Sequence, residues 1–287
     1  MSIVKQYFYS RFPEGNLMQA DFSQLEVIVL AVLSGDERLK EDLRAGVDMH
    51  CMSTAFLTGK PYERVLYKVK VEEDPKWIKL RKSAKGVSFA AQYGAGPKTI
   101  SKNTGIDEEE VRKFLENYYD RYQTVGEWQS DVSAQVTITR SPSKARTERG
   151  LPAGKGFYVS PTNRRYVFTE YDAPEWVSSG TSFSPTQLKN YPVQGTATGD
   201  IVPLALGVLY RELRKKLKKV LLVNTIHDSV LLDIPKDMEI ETARLVKRVL
   251  EDTPTYYEQV FHKAFDLPLK VDIEYGPTWA TMKPLSV

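Results

Sequence analysis

The sequence predicts an α+β fold in which an antiparallel sheet is interrupted by a long, mostly helical insertion. Three observations predict it. An apolar stretch ending in an acid, NLMQADF, occupies 16–22. A pair of apolar stretches, VLLVNTIHDSVLLDI (220–234), surrounds a tight polar turn and reads as a hairpin with an acid near its tip. LPLKVDIEYG (267–276) reads as a closing strand, while between Phe22 and Val220 the apolar spacing is mostly helical.

Taken in order, NLMQADF is a buried strand, and LEVIVLAVLSG is an apolar helix stopped by Gly35. Residues 48–58 are helical. Residues 60–77, charged and bounded by prolines, read as a surface insertion. A helix follows from about 77 to 93 and ends at Gly94 and Gly96. Another is expected over 107–135, with Asp107 as N-cap and Glu110 completing a capping box. From 140 to 188 the composition turns to Gly, Pro, Ser, Thr and basic residues, a loop-rich excursion with strand-like pieces such as YVFTEY. A long helix spans 196–219, with Pro203 in its first turns or kinking it. Residues 236–251 are helical. There is no internal repeat.

With 287 residues, 41% apolar and 27% charged, the chain is an ordinary globular one with room for a real core. No apolar run reaches the ~18–20 residues of a membrane span, so a cytosolic protein with no membrane partner is expected. The single cysteine, Cys51, excludes an internal disulfide framework and any Cys-rich zinc site. A net charge of +3 is small, but its distribution is uneven. Arg211, Arg214, Lys215, Lys216, Lys218 and Lys219 form one block, readable equally as a solvated helix face or a polyanion footprint. Lys144, Arg146, Arg149, Lys155, Arg164 and Arg165 form a looser basic region.

In RKSAKGVSFAAQYG (81–94), Arg81, Lys85, Phe89 and Tyr93 recur every four residues, one stripe of two cations followed by two rings. A nucleoside triphosphate is built the same way, with anionic phosphates, a sugar and a flat base. From spacing alone a plain amphipathic helix is the simpler reading. Asp21, closing one strand, and Asp228, on a hairpin turn, add a pair of carboxylates of the kind that holds two Mg²⁺ ions for phosphoryl transfer.

DFSQLE (21–26) followed by LAVLSGD, RKSAKGVSFAAQYG (81–94), NYPVQGTATGD (190–200) and HDS (227–229) resemble, in order and over nearly the whole chain, the successive motifs of the bacterial DNA polymerase I family, family A. The resemblance implies a palm sheet carrying a helical fingers insertion: palm over 1–47, fingers with loop-rich insertions over 48–185, and palm again over 186–287. It implies a template-directed DNA polymerase that uses primer–template DNA, dNTPs and two Mg²⁺ ions, with Mn²⁺ expected to substitute. Asp21, Asp228 and the Phe22 carbonyl match the metal ligands. Glu26 matches the steric gate against a ribose 2′-hydroxyl, and Gln24 lies beside it among the nucleotide-binding residues. His50, Arg81 and Lys85 match triphosphate contacts, with Lys85 able to protonate the departing pyrophosphate. Phe89 matches the sugar contact and Tyr93 the ring at the templating position. Asn190, Gln194, His227, Arg164 and Arg165 match DNA contacts.

Three departures stand out. Ser229 follows Asp228 where the family carries Glu, and Thr186 stands where it usually has Arg. Set against the family, the thumb and 3′–5′ exonuclease regions are expected to be absent from this chain. A separate chain supplying them is therefore expected, as in a split polymerase, possibilities that include an excised domain; a phage source suits the reduced form and places the protein in the bacterial host cytoplasm. Two other functions compete. A catalytically weak or silent DNA-binding subunit is opposed by both aspartates and the intact stripe, and a single-subunit RNA polymerase by Glu26 and Phe89.

Overall fold

The computed structural model describes residues 3–173 and 180–287; residues 174–179 of the loop-rich stretch lie outside it. In chain order, β1 (Asn16–Phe22) leads into α1 (Leu25–Ser34), α2 (Glu37–Arg44) and α3 (Met49–Thr58). Then come α4 (Tyr62–Lys70), α5 (Pro75–Gln92), α6 (Pro97–Thr104), α7 (Glu108–Arg121) and α8 (Gln123–Ile138). Four short strands, β2 (Lys155–Val159), β3 (Arg165–Thr169), β4 (Tyr171–Asp172) and β5 (Thr181–Ser182), precede α9 (Pro185–Thr196). A π-helical turn, Ala197–Ile201, joins α9 to α10 (Val202–Lys216). The hairpin β6 (Leu221–Ile226) and β7 (Ser229–Ile234) follows, then α11 (Glu239–Glu251), α12 (Thr253–Phe261), β8 (Val271–Gly276) and β9 (Lys283–Pro284).

The chain divides into two units: one formed by the chain up to Val29 together with Gln194–Val287, the other by Leu30–Val193. The first unit holds the five-stranded sheet, in the order β6-β7-β1-β8-β9 with every pairing antiparallel. This is the interrupted antiparallel sheet that the sequence predicts. β7 is buried along its whole length, which explains its nearly unbroken apolar run. α11, with Val246, Val249 and Leu250 buried, packs against β1 and β8, and α10 packs on α11 and α12. Each fully buried aliphatic side chain of this kind is worth about 1.5–3 kcal/mol. Asp233, buried in β7, is satisfied by the Ser10 hydroxyl at 2.6 Å and the Arg11 amide at 3.2 Å, which ties the segment before β1 to the sheet.

In the second unit α3 packs against α4, α5 and α7. Here several expectations change. Residues 60–77 are not a mere surface insertion, because α4 buries Val65 and Val69 in a cluster with Cys51 and Ala55. Their four-residue spacing was masked by the surrounding Lys and Glu. The helix expected over 107–135 is two helices, broken at Tyr122 (φ −117°, ψ 63°). Tyr122 donates to the buried Asp42 at 2.7 Å, and the Arg121 fork reaches the same carboxylate at 2.8 and 2.7 Å. That tertiary network outweighs continued helix. Asp107 does cap α7, through the Glu109 amide rather than a box with Glu110. The loop-rich stretch contains two small sheets, β2–β3 and β4–β5, with Val136, Phe168 and Leu188 as a local core.

The long helix near 196–219 begins earlier, at Pro185, and ends at Lys216, leaving Lys218 and Lys219 beyond it. Pro203 sits in the first turn of α10 as expected. It lacks the amide that an α-helix pairs four residues back, and the π-helical turn lies directly before it. β8 starts at Val271; Leu267 and Leu269 are apolar because they are buried, not because they are paired. α2, α6 and α12, of eight or nine residues each, are too short for periodicity to have marked them in the sequence.

Candidate active site

β1 ends in Asp21, which pairs in register with Ser229 on β7 and with Asp272 on β8. Directly opposed residues of antiparallel strands share a face, so Ser229, Asp21 and Asp272 form one row across three strands. Asp228 occupies the two-residue turn between β6 and β7. Its partner in that turn, exposed His227, takes φ +55°, a conformation that favours glycine and costs a histidine backbone strain. The Phe22 amide donates to the Asp228 carbonyl at 3.3 Å, tying the turn to the end of β1.

The electrostatics follow from this row. Partial desolvation, then repulsion from Asp228, Asp272 and Glu274, raises the Asp21 carboxyl to about 6. Ser23 donates to Asp272 at 2.6 Å, and its amide to the Lys270 carbonyl at 2.8 Å, so the chain leaving β1 is pinned to β8. Among the described residues, no three His, Cys, Asp or Glu side chains form a group able to hold a metal by themselves. Asp21 and Asp228 nevertheless suit Mg²⁺ chemically. They are hard oxygen donors under mutual repulsion, and Mg²⁺ commonly takes one or two carboxylates and completes its shell with water and substrate phosphate.

The turn after β1 places Gln24 at φ +58°, exposed, and opens α1. Glu26 lies in the first turn of α1 and accepts from the Gln194 amide at 3.4 Å. Two residues singled out 168 positions apart thus meet.

In the second unit the stripe lies on α5, with Tyr93 as its C-cap rather than inside the helix. The face that α5 buries is Ala84, Val87, Ser88 and Ala91. Phe89 and Tyr93 are only half-buried and Lys85 is exposed, so the rings are not core residues. Phe89 and Tyr93 have centroids 6.1 Å apart, and Lys85 Nζ lies 5.5 Å from the Phe89 centroid. His50, on the first turn of α3, comes within 6.1 Å of Phe89. Burial first, then Lys85, Arg81 and Lys70, push the His50 imidazole below its ordinary pKa. Arg81 Nη2 donates to both oxygens of Asp48 at 3.0 and 2.9 Å. Asp48 also caps α3 through the His50 and Cys51 amides. Desolvation would raise its carboxyl, but the Cys51 amide, Arg81 and Lys70 outweigh that and hold it below the usual range.

The C-terminal end of α5 is locked by a polar chain. Tyr119 donates to Gln129 at 2.9 Å, and buried Gln129 donates to the Gln92 carbonyl at 3.1 Å. Gly94 follows at φ +70°, and a Cβ there would fall 2.0 Å from the Lys189 side chain. Asn190 lies on α9 with its Oδ1 buried and unpartnered, and Gln194 follows one turn later. Thr186 is exposed at the start of the same helix. Arg164 and Arg165 are exposed where the chain enters β3, with Arg165 lying 4.1 Å over the Phe157 ring.

Sequence reasoning missed Asp48, Lys70, Asp272 and Glu274. Asp48 carried a signal as an N-cap residue before a helix. Asp272 and Glu274 alternate with apolar Val271 and Ile273, but only the sheet register reveals which acid stands beside Asp21.

Comparison with known proteins adds an independent finding. The family model for DNA polymerase family A matches residues 2–281. The thermostable DNA polymerase I of Thermus filiformis is 32% identical over 267 residues, 93% of this chain and 27% of that protein. DNA polymerase I of Geobacillus stearothermophilus is 26% identical over 280 residues, 98% of this chain and 28% of that one. The chain therefore spans little more than a quarter of these relatives' length. A solved structure of the POL domain of Pol1 from M. smegmatis, in complex with DNA primer-template and dNTP, superposes with a TM-score of 0.68 at 22% identity, covering 97% of this chain and 42% of that one.

Proposed function

The chain belongs to DNA polymerase family A, and from that premise we propose that it adds dNTPs to the 3′-hydroxyl of a template-paired primer. The observation that carries the reading is the meeting of Asp21, at the end of β1, with Asp228 on the β6–β7 turn and their mutual repulsion. In this reading both carboxylates and the Phe22 carbonyl hold Mg²⁺. Bound there, the ions supply Lewis-acid stabilisation of the attacking hydroxyl and the leaving pyrophosphate.

The remaining steps belong to the chain's own groups. Arg81, Lys85 and His50 grip the triphosphate, and Lys85 Nζ delivers a proton to the departing pyrophosphate. Phe89 packs on the sugar, Tyr93 occupies the templating position, and Gln24 lies beside the nucleotide. Glu26, steadied by Gln194, fills the space of a 2′-hydroxyl and excludes ribonucleotides. Asn190, whose Oδ1 lacks a partner, and Gln194 accept or donate along the minor groove, where acceptors look alike for every correct pair. Arg164, Arg165 and His227 contact the DNA backbone.

The test is primer extension by the wild-type protein against Asp228→Asn, with duplex binding measured in parallel. Extension is expected to vanish in the variant while binding persists. Equal extension by both proteins overturns the assignment.

A further inference from the structure

We propose that Lys70 is a further ligand of the triphosphate and of pyrophosphate, delivered to the phosphate end of the α5 stripe by α4. The inference rests on the polymerase reading above.

The placement begins with packing. Val65 and Val69 anchor α4 on Cys51 and Ala55, with Tyr62, Leu66 and Trp77 against the same cluster. The Tyr62 hydroxyl accepts the Asp48 amide at 3.0 Å, bracing the start of α3. With Val69 buried, the next residue emerges beside Asp48: Lys70 Nζ lies 3.5 Å from Oδ2, its side chain 54% exposed. Asp48 therefore gathers two cations, since Arg81 Nη2 bonds the same carboxylate. One carboxylate faces Arg81 and Lys70, with Lys85 and His50 close enough to be felt electrostatically. The cluster keeps a net positive charge.

Two more observations point to an anion there. Arg81 Nε and His50 Nδ1 are both buried without a hydrogen-bond partner. Only Nη2 of Arg81 is engaged by Asp48. The Lys70–Asp48 contact is a single ion pair at 3.5 Å whose Lys70 end is open to water, which screens it. A triphosphate carries several negative charges where Asp48 carries one, so the flexible Lys70 stem exchanges partners readily.

The experiment compares wild type, Lys70→Ala, Lys70→Arg and Arg64→Ala. Arg64 is an exposed cation six residues earlier on α4, about 120° around the helix. Single-nucleotide incorporation gives KM for dNTP, pyrophosphorolysis gives KM for pyrophosphate, and calorimetry gives Kd for dNTP and for inorganic tripolyphosphate. Lys70→Ala is expected to raise both KM values and both Kd values about tenfold, as loss of one charge-assisted contact should, with little change in kcat. Lys70→Arg recovers most of the loss, Arg64→Ala changes nothing, and melting temperatures stay together. Unchanged KM and Kd in Lys70→Ala overturn the inference while leaving polymerase activity standing. If wild type binds tripolyphosphate through Lys70 but never extends a primer, the polymerase reading falls alone.

Discussion

Asp272 stands directly across from Asp21 in the register of β1 and β8, and the two carboxylates share a face. Partial desolvation, Asp228, Asp272 and Glu274 together lift the Asp21 pKa from 3.8 to about 6. A raised acid pKa means the native state binds the proton more tightly than the unfolded chain. The contribution of Asp21 to stability is therefore fully present below about pH 4 and is lost as pH rises through about 6. Without divalent ions at neutral pH, Asp21→Asn is expected to be more stable than wild type by about 1 kcal/mol, a figure discounted for solvent screening. Thermal melting from about pH 4 to 8 checks this, with the curves converging at the acid end and Mg²⁺ narrowing the gap at neutral pH. An Asn variant that melts lower at neutral pH contradicts the crowding of these acids.

Glu26 accepts from Gln194, which fixes the carboxylate at the start of α1. Glu26→Ala opens room for a 2′-hydroxyl. The ratio of rNTP to dNTP incorporation is expected to rise about tenfold or more, within the range that steric exclusion of one hydroxyl supplies. A ratio that does not move removes the gate assignment.

Phe89 is half-buried between Lys85 and Tyr93 and brings no hydroxyl to the sugar. Phe89→Tyr adds one, able to replace a missing 3′-hydroxyl. Use of dideoxynucleotides relative to dNTPs should rise about threefold to tenfold, the worth of one hydrogen bond. An unchanged ratio in a competition assay would sink the sugar-contact role.

Tyr122 marks the break between α7 and α8 because its hydroxyl satisfies buried Asp42. Tyr122→Phe leaves that carboxylate to Arg121 and Arg38 and is expected to cost about 1–3 kcal/mol in urea unfolding. A loss below a few tenths would mean the break has another cause.

The parts of the fold legible in the sequence are those where one pattern dominates. NLMQADF and the hairpin around His227 and Asp228 stand in the expected strands, and the stripe lies on the expected helix with Tyr93 at its C-cap, because apolar runs or four-residue spacing marked them. The break at Tyr122 was hidden because its cause is Asp42, 80 residues away in sequence. α4 was hidden because its apolar face, Tyr62, Val65, Leu66 and Val69, spans only nine residues and is interleaved with Glu, Arg and Lys. Within the candidate site, Asp21, Asp228 and the stripe were readable as motif residues. Asp272 was not, since register decides which residue of β8 meets Asp21, and Lys70 was not, since packing of α4 decides where its end emerges.

The most direct test of the central claim offers each dNTP singly, with Mg²⁺, to the wild-type protein on four primer–templates that differ only in the templating base. Incorporation is expected only for the complementary pair in each of the four cases, and in none with Asp21→Asn or Asp228→Asn. Incorporation independent of the template, or undiminished in either variant, would contradict template-directed synthesis at these two aspartates.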